Sequence, residues 1–101
     1  MVEFTSDIIA TVRLLSTEQG GRKSPIVATE FSCIFEHEGE KNDCRLVLEG
    51  KGDVWPGQQI TVPIKFLHPE LVRPQLRVGD AFDLLEGRLI ARGTIDHIVY
   101  V

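Results

Sequence analysis

The chain has 101 residues, a length that fits one domain with a single hydrophobic core. Hydrophobic residues make up 43% and charged residues 26%, which is the composition of an ordinary soluble globular protein. The formal net charge of -4 argues against general binding to nucleic acid or anionic membranes, because affinity for phosphate comes mainly from accumulated Lys and Arg. We therefore expect one domain over residues 1–101, with its core between about residues 7 and 99.

The first residues, "MVEFTSDII", lack the basic segment and the apolar core of a signal peptide. No apolar stretch approaches the length that is needed to span a bilayer. These features predict a cytoplasmic protein without a membrane partner.

Alternation of apolar and polar residues with period two is the main signal along the chain. In the first predicted strand, "IIATVRLL", one face carries Ile8, Ala10, Val12 and Leu14. Further strands are predicted within "TEFSCIFEH" (29–37), "DCRLVLEG" (43–50), "QQITVPIKFL" (58–67) and "RLIARGTIDHIVYV" (88–101). Gly93 predicts a bend or bulge in the last of these, and Pro63 predicts an edge or bulge position in its own strand.

The segments between the strands carry turn residues. Polar or glycine-rich turns are predicted at "EGEKND" (38–43), "GKGDVWPGQQ" (50–59) and "EGR" (86–88). The segment "HPELVRPQLRVGD" (68–80) holds two prolines, so it is neither a central strand nor a regular long helix. Roughly five to seven short strands with turns about every 8–12 residues predict a closed barrel or a sandwich.

Two cysteines are too few for a disulfide framework. Cys33 and Cys44 fall on the inward faces of neighbouring predicted strands, most simply on a diagonal roughly 7–8 Å apart. That separation is too large for a disulfide without backbone movement. The sequence therefore predicts free, buried thiols that behave as small apolar side chains.

The loop "EQGGRKSPI" (18–26) has the glycines and cations of a phosphate-binding loop, with Gly20 and Gly21 followed by Arg22 and Lys23. Such a loop normally leads into a helix, whose N-terminus supplies amides and a dipole. Here Pro25 and β-branched residues follow instead. We interpret the loop as a strand-to-strand connection whose glycines allow unusual φ angles and close approach.

Neither a metal site nor a catalytic group is predicted. His37, His68 and His97 are scattered singly, without the paired spacing of metal ligands. The serines lie in no nucleophile-elbow context, and the carboxylates are spread along outward faces and turns. We expect a protein that is not an enzyme and has no cofactor.

The only tryptophan, Trp55, stands beside Pro56 and Gly57, immediately before a predicted strand. One interpretation makes it an exposed anchor for a binding partner, since Trp is enriched at binding hot spots. The other makes it an apolar plug that closes one end of a barrel.

A series of landmarks points to a known family. The segment "LLSTEQGGRKSP" resembles the family pattern Leu-Ser-x-x-Glu-Gly-Gly-Arg-x-x-Pro. The further landmarks, in order, are Pro56-Gly57, Leu67-His68-Pro69, Leu76-Arg77, Gly87-Arg88 and Gly93. With these landmarks, the chain from about Asp7 to Val99 resembles the C-terminal β-barrel, the third domain, of translation elongation factor Tu.

The resemblance implies a six-stranded antiparallel closed barrel. Its loops would be shaped by Gly20, Gly21, Pro25, Pro56 and Gly57. The GTPase domain of the factor is a separate module with no counterpart here, so the resemblance does not imply GTP binding.

In the full factor this barrel helps to hold the T-stem of aminoacyl-tRNA and contacts the guanine-nucleotide exchange factor. The candidate binding residues of the present chain are Arg22, Lys23, Trp55, Arg77 and Arg88. Two departures disfavour RNA: Glu30 stands where the family has a glutamine that touches tRNA, and Leu84 stands where it has an RNA-contacting arginine. The net charge of -4 points the same way.

Three functions follow from this comparison. The first is a protein-interaction module that binds a partner of the translation factor or mimics the factor, for example as a decoy. The alternative is an accessory RNA-binding protein associated with tRNA or the ribosome. The third is a subunit of a larger assembly.

Overall fold

Six antiparallel strands form a closed barrel in the computed structural model, which describes residues 6–99. The strands are β1 (Ile8–Leu14), β2 (Glu30–His37), β3 (Glu40–Val47), β4 (Gln59–Phe66), β5 (Ala81–Leu85) and β6 (Leu89–Ile98). Their order around the barrel is β1-β4-β3-β2-β5-β6, and β6 closes onto β1. The predicted all-β, six-stranded antiparallel barrel is thereby confirmed.

The core lies inside the barrel and follows the predicted alternation. In β1 the whole predicted apolar face is buried. The centre is aromatic: the ring of Phe35 stacks on Phe82 at 4.5 Å between centroids and meets Phe66 edge-on at 4.8 Å. Such offset and edge-on contacts add to the stabilisation that burial itself provides.

Within residues 6–99, helical structure is confined to short turns. The two-proline segment forms the four-residue helix α1 (Pro69–Val72) and a 3-10 turn (Arg73–Gln75), as the prolines predicted. A second 3-10 turn (Thr17–Gln19) follows β1. Among residues 6–99, no helix is long and apolar enough to cross a membrane.

The β2–β3 hairpin is tighter than its polar sequence predicted. Only Glu38 and Gly39 form the turn, with φ angles of 50° and 80°, and β3 already begins at Glu40. Positive φ at both central residues is the geometry of the type I′ turn, which matches the right-handed twist of the strands. Residues 40–43 therefore belong to a strand and not to the turn.

This short turn corrects the predicted placement of the cysteines. Because His37 pairs with Glu40, Cys33 lies directly opposite Cys44 instead of on a diagonal. Their sulfur atoms are 3.6 Å apart. Both thiols are free and buried, as predicted.

The sequence predicted a bend or bulge near Gly93, and β6 has two bulges, neither of them at Gly93 itself. The extra residues of β6 are Ile90, opposite β5, and Asp96, opposite β1, whereas Gly93 pairs regularly with Val12 and Phe82. Gly93 serves close packing instead, because a Cβ atom there would lie 2.4 Å from Cζ of Phe82.

Pro63 lies one residue beyond the last pair of the β3–β4 ladder, which ends at Leu46 and Ile64. Its missing N–H therefore removes no hydrogen bond from that ladder, in agreement with the predicted edge position.

Candidate functional site

One end of the barrel collects most of the candidate binding residues. The β1–β2, β3–β4 and β5–β6 connections (residues 15–29, 48–58 and 86–88) all emerge there, and we call this the loop end. It carries Arg22, Lys23, Trp55 and Arg88. Arg77 precedes β5 and lies at the opposite end. The structure thus brings four of the five candidates to one end and separates the fifth.

The 3-10 turn after β1 gives the loop end its fixed shape. Ser16 Oγ accepts a hydrogen bond from the Gln19 amide (3.2 Å), while Gln19 Oε1 accepts from the Ser16 amide (3.0 Å). This reciprocal pair satisfies amides that the turn leaves open. Gly20 follows with a φ of 91°, and at Gly21 a Cβ atom would lie 2.3 Å from the Leu15 carbonyl oxygen. Glycine at 21 therefore permits a close backbone approach.

Arg22 is bound within the protein. Its guanidinium forms an ion pair with Glu86, donates to the Ser24 carbonyl (3.2 Å) and lies 5.3 Å from the centre of the Phe31 ring. The side chain is only 20% exposed. These contacts tie the β1–β2 connection to the β5–β6 turn and leave the guanidinium little freedom to contact a ligand.

The two remaining candidate cations of the loop end, Arg88 and Lys23, differ in their contacts. Arg88 donates from Nη2 to the carbonyl oxygen of Gly21 (3.1 Å), which adds a second tie between the same two connections. Lys23 is exposed at the tip of the β1–β2 connection. Of the three candidate cations at this end, Lys23 is therefore the better probe of ligand contact, because its removal disturbs less of the loop.

Ile26 and Val54, and not Trp55, close this end of the barrel. They form an isolated antiparallel bridge, with Ile26 N donating to Val54 O (2.8 Å) and Val54 N donating to Ile26 O (3.1 Å). Ile26 is 2% exposed and Val54 is fully buried. Trp55 is 57% exposed, so the interpretation as a plug is wrong and the exposed-anchor interpretation agrees with the structure.

The backbone that carries Trp55 is held on both sides. Trp55 O accepts from the Gln58 amide (3.0 Å), and the Trp55 amide donates to Gln58 Oε1 (3.0 Å). Pro56 and Gly57, with a φ of 86° at the glycine, occupy the central positions that a type II turn requires. The Gly57 amide donates to Leu14 O (3.0 Å), which fastens the turn to the end of β1.

Val27 adds a second exposed apolar side chain, with 70% of its surface accessible. Successive residues of an extended segment point to opposite sides. Since Ile26 and Val54 both point inward, Val27 and Trp55 both point outward from the same bridge. We call Val27 and Trp55 the apolar pair of the loop end.

Glu30 and Leu84, the two departures from the family pattern that disfavoured RNA, lie in different environments. Glu30 is exposed and lies 3.8 Å from Arg45, so its charge reaches the surface as expected. Leu84 is fully buried inside the barrel, where it pairs with Phe35 and Ala91. An arginine at position 84 could not face RNA, so the argument from Leu84 is wrong because the position belongs to the core.

One cluster of metal-ligating side chains was missed by the sequence analysis. Ligand atoms of His37, Glu38 and Asp80 lie within 4.8 Å of one another at the opposite end of the barrel. Alternation through Cys33 and Phe35 would have placed His37 inside, but its proximity to Asp80 depends on the β2–β5 pairing. One imidazole and two carboxylates could hold a divalent metal such as zinc.

A structural role already accounts for the same groups. His37 Nε2 lies 2.8 Å from Asp80 Oδ2, so the buried imidazole has a hydrogen-bond partner. Asp80 Oδ2 also accepts from the Arg77 amide (3.2 Å). The cluster thus satisfies a buried histidine and fixes the turn before β5.

Comparison with known proteins identifies no relative: no protein-family model matches the chain, and no curated protein matches it significantly. The functional argument therefore depends on the geometry of the loop end.

Proposed function

We propose that this protein is a non-enzymatic protein-interaction module of the type of the third domain of elongation factor Tu. In this proposal it binds a protein partner of the factor, or mimics the factor toward such a partner. The closed six-stranded antiparallel barrel agrees with the fold that the resemblance implies. The glycines at 20, 21 and 57 have close contacts or positive φ angles that suit their place in the family pattern.

The exposure of Trp55 is the observation that supports this function most. A tryptophan offers a large contact area, and hot spots of protein interfaces are enriched in this residue. Here it stands 57% exposed on a turn that three hydrogen bonds hold in place. A partner would therefore meet an anchor whose backbone is already ordered, which lowers the entropic cost of binding.

The distribution of positive charge favours a protein over RNA. Arg22 is engaged with Glu86 and Phe31, and Arg77 lies at the other end of the barrel. Of the four candidate cations, only Lys23 and Arg88 therefore remain at the loop end without an acidic partner among residues 6–99, whereas affinity for phosphate depends on accumulated positive charge. Glu30 and the net charge of -4 act in the same direction.

A comparison of two surface variants tests the proposal. We expect the immobilised wild-type protein to retain a discrete protein from a cell lysate, and Trp55→Ser to weaken that binding at least about tenfold, as for a hot-spot tryptophan. Leu71→Ser is the matched control, because Leu71 is 61% exposed but lies in α1 at the opposite end. Binding should be measured by titration once the retained protein is purified.

Equal binding by wild type and Trp55→Ser would contradict the proposal. So would salt-dependent binding of purified tRNA in a gel-shift assay, if Lys23→Glu abolished it and Trp55→Ser did not. Lys23 is the appropriate probe for RNA, because removing Arg22 would also loosen the loop.

A further inference from the structure

Cys33 and Cys44 form a thiol pair whose geometry suits reversible chemistry. They lie directly opposite each other on β2 and β3, with their sulfur atoms 3.6 Å apart. Directly opposed residues of antiparallel strands have Cα atoms about 4.5–5.5 Å apart, which falls within the range of disulfides. A bond between the two sulfurs therefore needs side-chain rotation but no change of strand register.

Both cysteines border a groove on the surface of the barrel. A groove of about 620 Å³ runs over β2, β3, β4 and the end of β5, and both cysteines line it together with Ser32, Asp43 and Leu67. Cys33 is 7% exposed and Cys44 is 2% exposed. A small reagent that enters the groove would thus reach Cys33 first.

The surroundings of Cys44 hold its thiol in the protonated form. The hydrogen bond with Cys33, followed by burial, raises the pKa of the Cys44 thiol far above its usual range. Cys44 is therefore protonated at neutral pH. Because the thiolate is the nucleophile, Cys44 does not attack an external reagent but can act in a second, intramolecular step.

We propose that Cys33 and Cys44 are a reversible dithiol–disulfide couple that exchanges with low-molecular-weight disulfides through this groove. The Cys33 thiolate attacks one sulfur of the external disulfide, which forms a mixed disulfide and releases one small thiolate. Cys44 gives its proton to the released thiolate and attacks Sγ of Cys33, which expels the second small thiolate; this takes up the proton that Cys33 lost. Two protein thiols are oxidised, and one external disulfide is reduced to two thiols.

This modification site is independent of the proposed interaction function. It makes no use of Trp55 or of the loop end. Failure of either proposal would leave the other standing.

The test uses the folded full chain and oxidised glutathione. After incubation, acid quenching and alkylation, mass spectrometry should show that wild type loses both alkylatable thiols together and two hydrogen masses, with no glutathione retained. Cys44→Ser should keep one glutathione, on Cys33, because the intramolecular step is absent. Cys33→Ser should react at least about tenfold more slowly, because its remaining thiol is the buried Cys44. Dithiothreitol should restore both thiols of wild type.

Three results would overturn the proposal. The first is wild type that keeps both thiols when folded and reacts only in denaturant. The second is wild type that accumulates a stable glutathione adduct, and the third is a disulfide between two molecules on a non-reducing gel.

Circular dichroism must show that each variant is folded, with Cys33→Ala and Cys44→Ala as substitutes if a serine variant is not. Phenylarsine oxide gives a measurement on wild type alone, since one molecule bridges two neighbouring thiols. Binding of one equivalent by the native protein would support the couple, and no binding until unfolding would contradict it.

Discussion

Gly21 shows how strongly a single position can be constrained in this loop. The residue is buried, its amide donates to the Ser16 carbonyl (3.0 Å), and a Cβ atom would lie 2.3 Å from the Leu15 carbonyl oxygen. Real Cβ atoms do not approach backbone oxygen so closely. Any side chain at position 21 must therefore displace the backbone that carries Arg22.

We expect Gly21→Ala to lower the free energy of unfolding by about 2–3 kcal/mol, because the clash involves backbone atoms that cannot turn away. Gly20→Ala is the matched control. Gly20 has a φ of 91° but nothing within 4 Å of a Cβ atom, so the cost there should be only about 1 kcal/mol of backbone strain. Urea unfolding measures both, and equal losses would contradict the steric explanation.

Individual residues were predictable from the sequence where local pattern decides their environment. The inward face of β1 follows from alternation alone. The exposure of Trp55 does not, because the barrel end is closed by Ile26 and Val54, which are far apart in sequence. Leu84 was misplaced for a similar reason: its burial depends on pairing with β2 and β6.

Among the elements, the β2–β3 hairpin determines the most. Its two-residue turn fixes the register of both strands, and this register brings Cys33 opposite Cys44. The sequence did not predict this register, because the polar residues Glu40, Lys41 and Asp43 are typical of a turn. In the structure they form the start of β3. The positions of the bulges of β6 were also beyond sequence reasoning, because a bulge is defined by the partner strand.

The hairpin turn offers a stabilising substitution. Glu38 is the only residue other than glycine with a positive φ, 50°, among residues 6–99. Asparagine tolerates this conformation better and is favoured at the first central position of a type I′ turn. We expect Glu38→Asn to raise the free energy of unfolding by about 0.5–1 kcal/mol.

Thermal and urea unfolding would measure this gain. Glu40→Asn is the control: position 40 is also exposed but lies in a strand, where asparagine is unfavourable. A gain at position 40 that equalled the gain at 38 would assign the effect to charge and not to turn geometry.

At the scale of the whole molecule, the barrel is joined by contacts between distant parts of the chain. Closure by the β1–β6 pairing removes the open sheet edges to which a partner could add a strand, except where the short β2–β5 and β3–β4 ladders leave parts of those strands unpaired on one side. A partner at the loop end would therefore bind through side chains and loops. This general feature of the fold agrees with an interface centred on Trp55.

Asp7 is a polar residue that connects distant parts of the chain. Its carboxylate is buried, accepts from the Phe66 amide (2.8 Å) and forms an ion pair with Arg73, whose Nε donates at 2.9 Å. It thus joins the start of β1, the end of β4 and the segment before β5. Without the guanidinium of Arg73, the buried carboxylate would lose its ion pair and keep the hydrogen bond from the Phe66 amide.

We expect Arg73→Ala to destabilise the barrel by about 2–3 kcal/mol, somewhat less than for a fully buried pair, because Arg73 is 31% exposed. Arg73→Lys should recover part of the loss. Urea unfolding should remain a single transition, because the pair connects segments from the whole barrel. A loss below about 0.5 kcal/mol would mean that water replaces the guanidinium.

The chain segments that flank the barrel meet at the end opposite Trp55. The amide of Val99 donates to the carbonyl of Asp7 (2.9 Å), and the Asp7 amide donates to Ile64 O (2.9 Å). A tether attached before Asp7 or after Val99 would therefore hold the protein by this end, with the loop end facing away from the support. Sensors and fusions built in this way would keep Val27 and Trp55 open to whatever they bind.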